Sequence, residues 1–522
     1  MDRRDFLRAG AGTFGLAAMG GLAAACAPGT GGAPSSVWSA GVASGLHSSN
    51  EVVLWTRVEP LVAPTVSSIQ WQVASDEGFA NVVASGTAPV TSTTDNCVKV
   101  LVGGLSADRS YWYRFRTGTD ISPVGRARTL PAPGASVSRL ALGVGSCQSY
   151  ASGFYGAWRD MAAQDLDAVL FVGDYIYESF AIQLQRRVRD EMVETAETLD
   201  TYRQKYRLYR SDPDLQAAHA AHPLLPVWDD HEVANDWDRT WLTLYPQRVA
   251  DAFRVWFEYM PVWPIEGNRI YRSLRWGNLG EIFCLDTRQY RDANPAGGLL
   301  GPLGFNLMTP ELAAPGRTIL GTTQREWLFD GLAAAQSDGV GWKLIGNQVM
   351  IAPIRLTDLD TPELRALDPS IPKHAGLYLF SDSWDGFSWE RDLVLGHLHD
   401  AAISDVAFLT GDVHSFWAAP LRTDYDDPSS PLVAYEYTSG SITSPAGLAE
   451  MGISGGGPSI ETEPAFDYVE LRYNGWGMVE CTPDEMNVTY RQLDPTLAVN
   501  VPEPKVRFTA KAGVVEPSIS LL

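Results

Sequence analysis

The sequence predicts a large α/β domain that is preceded by a small all-β domain. Two observations support this fold class. Short runs of alternating apolar and polar residues fill residues 38–130, and from residue 137 to about 510 apolar runs alternate with helical segments. Hydrophobic residues make up 45 % and charged residues 20 % of the 522 residues, which is typical of a globular protein.

The first 26 residues predict an export signal. Arg3 and Arg4 precede an apolar, glycine- and alanine-rich run, the pattern of a twin-arginine signal that an export machinery reads. We therefore expect a periplasmic, cell-surface or secreted protein. The small residues before Cys26 fit either ordinary cleavage or lipidation of Cys26, and residues 27–37 are typical of a tether.

Residues 38–130 predict a β-sandwich of the immunoglobulin or fibronectin kind. Val52–Trp55, Ile69–Val73 and Tyr111–Phe115 alternate between apolar and polar side chains, which is typical of half-buried antiparallel strands. No helical pattern interrupts them. The Pro- and Gly-containing segment 129–136 then predicts a linker to a second domain over residues 137–510.

The second domain contains seven apolar runs that predict buried strands. They are Leu140–Val144, Ala168–Val172, Leu224–Trp228, Ile282–Leu285, Lys343–Ile345, Val406–Thr410 and Leu432–Tyr437. The amphipathic segment Gln247–Tyr259 predicts a helix between two of them. Thr323 and Glu326 have the spacing of a capping box, which predicts the start of another helix.

A short polar cluster follows five of these strands. The clusters are Gly145–Cys147, Gly173–Glu178, Asp229–Glu232, Gly346–Gln348 and Gly411–His414. Each alone has an ordinary explanation, since Asp after Gly is common in turns and a single Cys or His is commonly packed in a core. Ligands of open α/β sheets bind at the carboxyl ends of the strands, so the recurrence favours a site.

The residue types in these clusters fit a site for two or three metal ions. The Asp174 carboxylate can bridge two cations, and Tyr177 can return its phenol to the same place. The Cys147 thiolate and a phenolate suit a trivalent metal, whereas Asp230 and Asp412 suit Ca²⁺. An imidazole at His231 is suited to a leaving group or a phosphate oxygen, with Asn235 and Asp236 in the same loop.

Charge and missing motifs exclude several function classes. The formal net charge is −22, which argues against nucleic-acid binding through a basic surface. The sequence has neither a Gly-x-Ser-x-Gly elbow nor a Walker motif, which weighs against serine hydrolases and P-loop enzymes. We therefore expect a metal-bound hydroxide as the nucleophile.

Other candidate residues are weaker evidence for a functional site. His219 and His222 have the spacing of a metal pair, but an alanine-rich helix favours core packing, and His397 and His399 fit a helix end. The basic segment 186–189 could steer phosphate or form a solvated face. Trp384 and Trp389, with Tyr378 and Phe380, are equally consistent with a pocket rim and with burial.

The motifs together resemble the PhoD-type alkaline phosphatase family. They are Cys147–Tyr150, Asp165–Glu178, Asp212–His219, Trp228–Val233 and Leu409–Trp417, and Gly41–Gly45 and Val53–Arg57 resemble the N-terminal domain of that family. The resemblance runs in order from about residue 38 to 500. It implies a metallophosphoesterase-like sandwich of two sheets flanked by helices, and an exported phosphomonoesterase or phosphodiesterase with an Fe³⁺ and Ca²⁺ centre.

The resemblance also implies a role for each site residue. Cys147, Tyr177 and His414 resemble iron ligands, and Asp174 resembles a bridging carboxylate. On the calcium side the resemblance places Asp229, Asp230, Asp412 and either Asn235 or Asp236. His231, with Asp230 beside it, resembles the catalytic group that meets the phosphate or the leaving oxygen.

Two alternatives remain open at this stage. One is a phospholipase D-like phosphodiesterase that uses the same site. The other is a surface binding protein whose β-domain binds a partner and whose α/β domain is inactive. Intact motifs weigh against the second alternative.

Overall fold

The computed structural model describes residues 36–179, 186–294, 306–427, 429–445 and 466–522. The predicted signal, Cys26 and nearly all of the predicted tether lie outside these residues. Among the helices described, none combines the length and the apolar character that crossing a bilayer requires.

The N-terminal part of the chain contains strands and a single described turn of 3₁₀ helix at Ser92–Thr94. Its strands are β1 (Val42–Leu46), β2 (Val52–Arg57), β3 (Ser68–Ala74), β4 (Val82–Pro89), β5 (Cys97–Val102), β6 (Ser110–Thr117), β7 (Asp120–Ile121) and β8 (Gly125–Arg128). Strands β3, β4, β6, β7 and β8 form one antiparallel sheet. Its Tyr113 and Phe115 pack in one apolar core with Val52 and Leu54 of β2.

The other sheet of this sandwich continues into the C-terminal part of the chain. Strands β1, β2 and β5 form one end of a ten-stranded sheet, and Gly45 of β1 pairs in parallel with Leu224. The Trp55 indole nitrogen donates a hydrogen bond of 2.8 Å to the Glu258 carbonyl oxygen. The two parts therefore share a sheet and buried contacts.

Two mixed sheets form the C-terminal part. The ten-stranded sheet adds β9 (Leu140–Gly145), β10 (Ala168–Val172), β11 (Leu224–Val227), β22 (Asn474–Cys481), β23 (Glu485–Leu493), β24 (Glu503–Lys511) and β25 (Ser518–Leu521). The seven-stranded sheet contains β12 (Arg272–Trp276), β13 (Gly280–Cys284), β15 (Trp342–Asn347), β18 (Val406–Thr410), β19 (Phe416–Arg422), β20 (Leu432–Thr438) and β21 (Tyr468–Glu470). A small sheet contains β14 (Asn306–Leu307), β16 (Arg355–Asp358) and β17 (Gly376–Tyr378).

Helices cover these sheets. They are α1 (Gly156–Ala163), α2 (Leu199–Arg210), α3 (Pro213–Ala221), α4 (Trp241–Leu244), α5 (Pro246–Tyr259), α6 (Gly321–Ser337), α7 (Pro362–Leu367) and α8 (Ser388–Asp400). The predicted fold class, an α/β sandwich preceded by an all-β part, is confirmed. All seven predicted strands are present, and the predicted helix 247–259 is α5.

The predicted capping box at Thr323 and Glu326 is wrong, because α6 begins two residues earlier, at Gly321. The backbone N–H of Gly321, the first residue of α6, donates to Thr318 Oγ1 at 2.7 Å. The N–H groups of Ile319 and Leu320, which precede the helix, donate to the buried carboxylate of Glu390 on α8.

The two sheets face each other with their parallel strands ending at one edge. Strands β9, β10 and β11 are parallel neighbours in one sheet, as are β13, β15, β18 and β20 in the other. A Cβ at Gly346 would lie 3.1 Å from Leu170, and one at Gly411 would lie 2.5 Å from Ser146 Oγ. The ends of β9 and β18 therefore almost touch across the sandwich.

Candidate metal centre

The backbone is strained where the polar clusters follow the strands. Cys147, Asp174, Asp412 and His414 have positive φ values of 56°, 58°, 69° and 55°. Non-glycine residues seldom adopt this conformation, and it concentrates at functional sites. The chain therefore holds four of the predicted ligands in turns that side-chain-bearing residues normally avoid.

One glycine permits the closest approach between two of the strand ends. Gly173 has φ 106°, and a Cβ there would lie 2.4 Å from Asp229 Cβ. Because any side chain would collide with Asp229, glycine allows the turn after β10 to lie against the turn after β11.

The four predicted iron-side residues converge. Cys147, Asp174 and His414 each offer a ligand atom, and these atoms all lie within 4.8 Å of one another. The Tyr177 phenol oxygen lies 3.0 Å from Asp174 Oδ2 and 2.9 Å from His414 Nε2. A sulfur, a phenol oxygen, a carboxylate and an imidazole nitrogen are a donor set suited to a transition metal ion.

The thiol and the phenol of this cluster hold their protons at neutral pH. Burial and the charge of Asp174 raise the pKa of the Cys147 thiol and of the Tyr177 phenol well above their usual values. Burial likewise raises the pKa of Asp174. A cation that entered this cluster would have to displace these protons, so its binding releases protons.

The predicted calcium-side residues form a second group around Asp174. Asp174, Asp230 and His231 have ligand atoms within 4.8 Å of one another. The Asp229 Oδ2 atom is buried and lacks a hydrogen-bond partner in the structure. Asp412 is half-buried, and its charge interacts with Asp229 and Asp230. A buried carboxylate oxygen that accepts no hydrogen bond is available to coordinate a cation.

Asn235 and Asp236 lie on the exposed rim of this group. Their backbone N–H groups donate to Glu178 at 3.2 Å and to Asp230 Oδ2 at 2.7 Å. Neither side chain belongs to the close groups of ligand atoms among the described residues. The backbone contacts hold the loop against the site, and the choice between the two as a ligand stays a prediction.

A buried arginine, which the sequence analysis did not single out, neutralises the carboxylates. Arg288 is completely buried, with Nε 2.5 Å from Asp229 Oδ1 and Nη1 2.7 Å from Asp382 Oδ2. Its Nη2 lies 3.9 Å from Asp230 Oδ2, and Arg291 pairs with the second oxygen of Asp382 at 2.7 Å. Arg288 therefore positions the carboxylates of the Asp229–Asp230 turn and offsets their charge.

His231 is paired with a buried carboxylate. Its Nδ1 lies 2.6 Å from Glu178 Oε2, and its ring packs on Tyr177 with ring centroids 4.1 Å apart. Although burial opposes protonation, the charges of Asp230, Glu178 and Asp174 raise the pKa of His231 well above its usual value. With Nδ1 directed at Glu178, the other ring nitrogen is the one that can meet a substrate oxygen.

The remaining candidates make structural contacts. His219 Nδ1 lies 2.8 Å from the Arg210 guanidinium and His222 Nε2 lies 2.9 Å from the Met161 carbonyl, whereas His397 lies in the last turn of α8. Among the aromatic candidates, Trp384 and Tyr378 are buried. In the basic segment, Arg186 donates to the Ser152 and Thr443 carbonyls.

Family comparisons agree with this geometry. The model described as PhoD-like phosphatase matches residues 142–490, and the model of the N-terminal domain of PhoD-like phosphatases matches residues 25–131. The chain belongs to the PhoD-like phosphatase family. The predicted resemblance is thus confirmed, as is the prediction of a hydrolase that acts on phosphoric ester bonds.

Two relatives of this PhoD-like phosphatase are similar over nearly its whole length. Alkaline phosphatase D of Bacillus subtilis (strain 168) is 33 % identical over 500 residues, which cover 91 % of this chain and 80 % of the relative. The solved structure described as the structure of PhoD has a TM-score of 0.82 at 31 % identity. That match covers 95 % of this chain and 94 % of the solved chain.

Proposed function

We propose that the chain is an exported, metal-dependent phosphatase that releases phosphate from monoesters, diesters or both. The observation that carries this proposal is the convergence of Cys147, Asp174, Tyr177 and His414 at the edge where the strands of both sheets end. Export rests on the twin-arginine pattern of residues 1–26, and attachment to the surface through a lipid on Cys26 is one form it would take.

We assign the two groups of ligands to different ions. Cys147, Tyr177 and His414 would hold Fe³⁺ because thiolate, phenolate and imidazole donors suit it, with Asp174 shared. Asp229, Asp230, Asp412 and the rim residues would hold one or two Ca²⁺ ions through oxygen atoms. When bound, such cations activate water and neutralise the oxygens of a phosphoryl group.

The side chains around the ions supply positioning and a proton. Arg288 holds Asp229 in place, so that its free oxygen is directed to one position. His231, kept protonated by Glu178 and Asp230, is placed to donate a proton to the leaving oxygen or a hydrogen bond to the phosphoryl group. A protein of net charge −22 would thus attract an anionic ester only where cations and buried arginines reverse the local sign.

A side-by-side assay of two ester classes tests the function. Protein exported by its own signal, with its metal content measured, would be given p-nitrophenyl phosphate and bis-p-nitrophenyl phosphate. We expect iron and calcium in the protein and hydrolysis of at least one ester. Exclusive hydrolysis of the diester would favour the phospholipase D-like alternative. A protein that is loaded with both metals and cleaves neither ester would support the inactive binding protein instead.

Replacing Glu178 by Gln is expected to slow the hydrolysis of alkyl phosphates more than that of p-nitrophenyl phosphate. The substitution removes the carboxylate that keeps His231 protonated, and a poor leaving group depends more on a proton donor. We expect kcat for glycerol phosphate to fall about 100-fold and kcat for p-nitrophenyl phosphate to fall less than about tenfold.

Glu194→Gln is the matched control, because Glu194 is an exposed carboxylate of the neighbouring segment. It should leave both rates unchanged. An equal loss for both esters in Glu178→Gln would contradict a role of the pair in proton donation and indicate general damage to the site.

A further inference from the structure

The segment that follows strand β20 contacts three of the four iron-side residues. The backbone N–H groups of Thr443 and Ser444 lie 3.4 and 3.2 Å from the Cys147 carbonyl oxygen and donate to it. The Ser444 hydroxyl lies 2.7 Å from the Tyr177 phenol oxygen. The Pro445 carbonyl oxygen lies 2.9 Å from His414 Nδ1. One short stretch of chain therefore touches Cys147, Tyr177 and His414 from behind.

The direction of the Ser444 hydrogen bond is fixed by the other partners of Tyr177. The phenol has a single proton, and both Asp174 Oδ2 at 3.0 Å and His414 Nε2 at 2.9 Å are placed to accept it, while the Ser149 backbone N–H donates to Ser444 Oγ at 3.1 Å. Ser444 is 1 % exposed, which leaves water little access. The hydroxyl proton of Ser444 is therefore directed at the Tyr177 oxygen.

Pro445 acts on His414 in a complementary way. A carbonyl oxygen can only accept, so the contact at 2.9 Å places the proton of neutral His414 on Nδ1. Nε2, which lies 2.9 Å from the Tyr177 oxygen, is then the nitrogen with a free lone pair. In many metal sites a hydrogen-bond acceptor on the far side of a histidine ligand orients its ring in this way.

The segment itself is held by buried polar contacts. Asn474 Nδ2 donates to Ser441 Oγ at 2.6 Å and to the Ser444 carbonyl at 2.7 Å. The Ser441 hydroxyl also donates to the Ser444 carbonyl. These bonds fix the position of Ser444 independently of its own side chain.

We propose that Ser444 is a positioning residue of the metal centre, whose hydroxyl donates to the Tyr177 oxygen and lowers the electron density that this oxygen offers to a bound Fe³⁺. This inference rests on the proposed function, since it requires Tyr177 to be an iron ligand. On ion binding the Tyr177 proton leaves to solvent, whereas the Ser444 proton stays on its own oxygen and points at the phenolate.

Ser444→Ala tests the proposal through the colour of the iron centre. A phenolate that loses a hydrogen-bond donor becomes a better electron donor, so its charge-transfer band should move to longer wavelength. The measurement is an absorption spectrum of the full-length protein loaded with Fe³⁺.

Two further variants separate this role from general loop damage. Ser444→Thr keeps a hydroxyl and should show the native band. Ser444→Cys has a weaker donor and should give an intermediate shift. The cysteine variant also serves as the test if the alanine variant does not fold. Ser441→Ala removes a hydroxyl that holds the same loop but does not contact Tyr177, and because Asn474 still donates to the Ser444 carbonyl the band should stay in place.

The outcomes distinguish this inference from the proposed function. A native band that stays at the same wavelength in both Ser444→Ala and Ser444→Cys overturns the role of Ser444 and leaves the iron centre standing. A native protein that binds iron without any charge-transfer band overturns the assignment of Tyr177 as an iron ligand, and the role of Ser444 falls with it.

Discussion

Replacing Asp174 by Asn is expected to abolish hydrolysis of both p-nitrophenyl phosphate and bis-p-nitrophenyl phosphate. Asp174 belongs to both groups of ligand atoms, the one with Cys147 and His414 and the one with Asp230 and His231. An amide keeps the shape of the side chain but removes the charge and one of the two acceptor oxygens. It therefore weakens both ion sites at once.

We expect a loss of at least about 1000-fold in kcat/KM, because the cations contribute several kcal/mol to the stabilisation of the transition state. Asp120→Asn is the control, since Asp120 is an exposed carboxylate on β7. Metal analysis of the purified variant should show that iron and calcium are both reduced. Full activity in Asp174→Asn, with both metals retained, would show that the site has been placed wrongly.

Replacing Arg288 by Gln is expected to lower the free energy of unfolding, and the loss should be largest when the protein holds no metal. The substitution leaves the buried Asp229 carboxylate without a guanidinium partner, whereas Asp382 keeps Arg291. Breaking a buried ion pair from one side costs about 3–5 kcal/mol, because the remaining charge is buried without compensation. Urea unfolding of chelator-treated protein measures this difference in the free energy of unfolding.

Added Ca²⁺ should reduce the difference between Arg288→Gln and the native chain, because the ion neutralises the same carboxylates. Arg109→Gln, a change at an exposed arginine, is the control and should match the native protein under both conditions. If Ca²⁺ leaves the gap between the two proteins unchanged, Arg288 stabilises the fold without any link to the ion site.

Strand placement and the main site were predictable from the sequence for one physical reason. Apolar runs that are buried on both faces stand out, and the polar residues that end them lie at one sheet edge. Cys147, Asp174 and His414 were found in this way. The same rule also predicts further site residues after the two remaining strands. Asp286–Arg288 follows β13, and Ser439–Ser444 follows β20.

Partners distant in sequence could not be predicted. Asp382, which pairs with both Arg288 and Arg291, follows a three-residue strand of the small sheet that was not among the predicted strands. The turn before α6 is held by Glu390 on another helix, a contact that the local capping pattern at Thr323 does not contain. The ten-stranded sheet that the two parts share could not be predicted either, because the pairing of Gly45 with Leu224 joins positions far apart in the chain.

The pairing of β1 with β11 gives the molecule a mechanical property. Val37 and Trp38 lead directly into β1, and β1 lies beside the strand whose end carries Asp229 and Asp230. A pull on the N-terminal end of the chain would therefore be shared by the apolar core that holds Val37 and Trp38, the pairing of β1 with β2 and the pairing of β1 with β11. The part of the load that reaches β11 would act on the strand whose end carries Asp229 and Asp230, so tension at the N-terminus would reach the predicted metal centre.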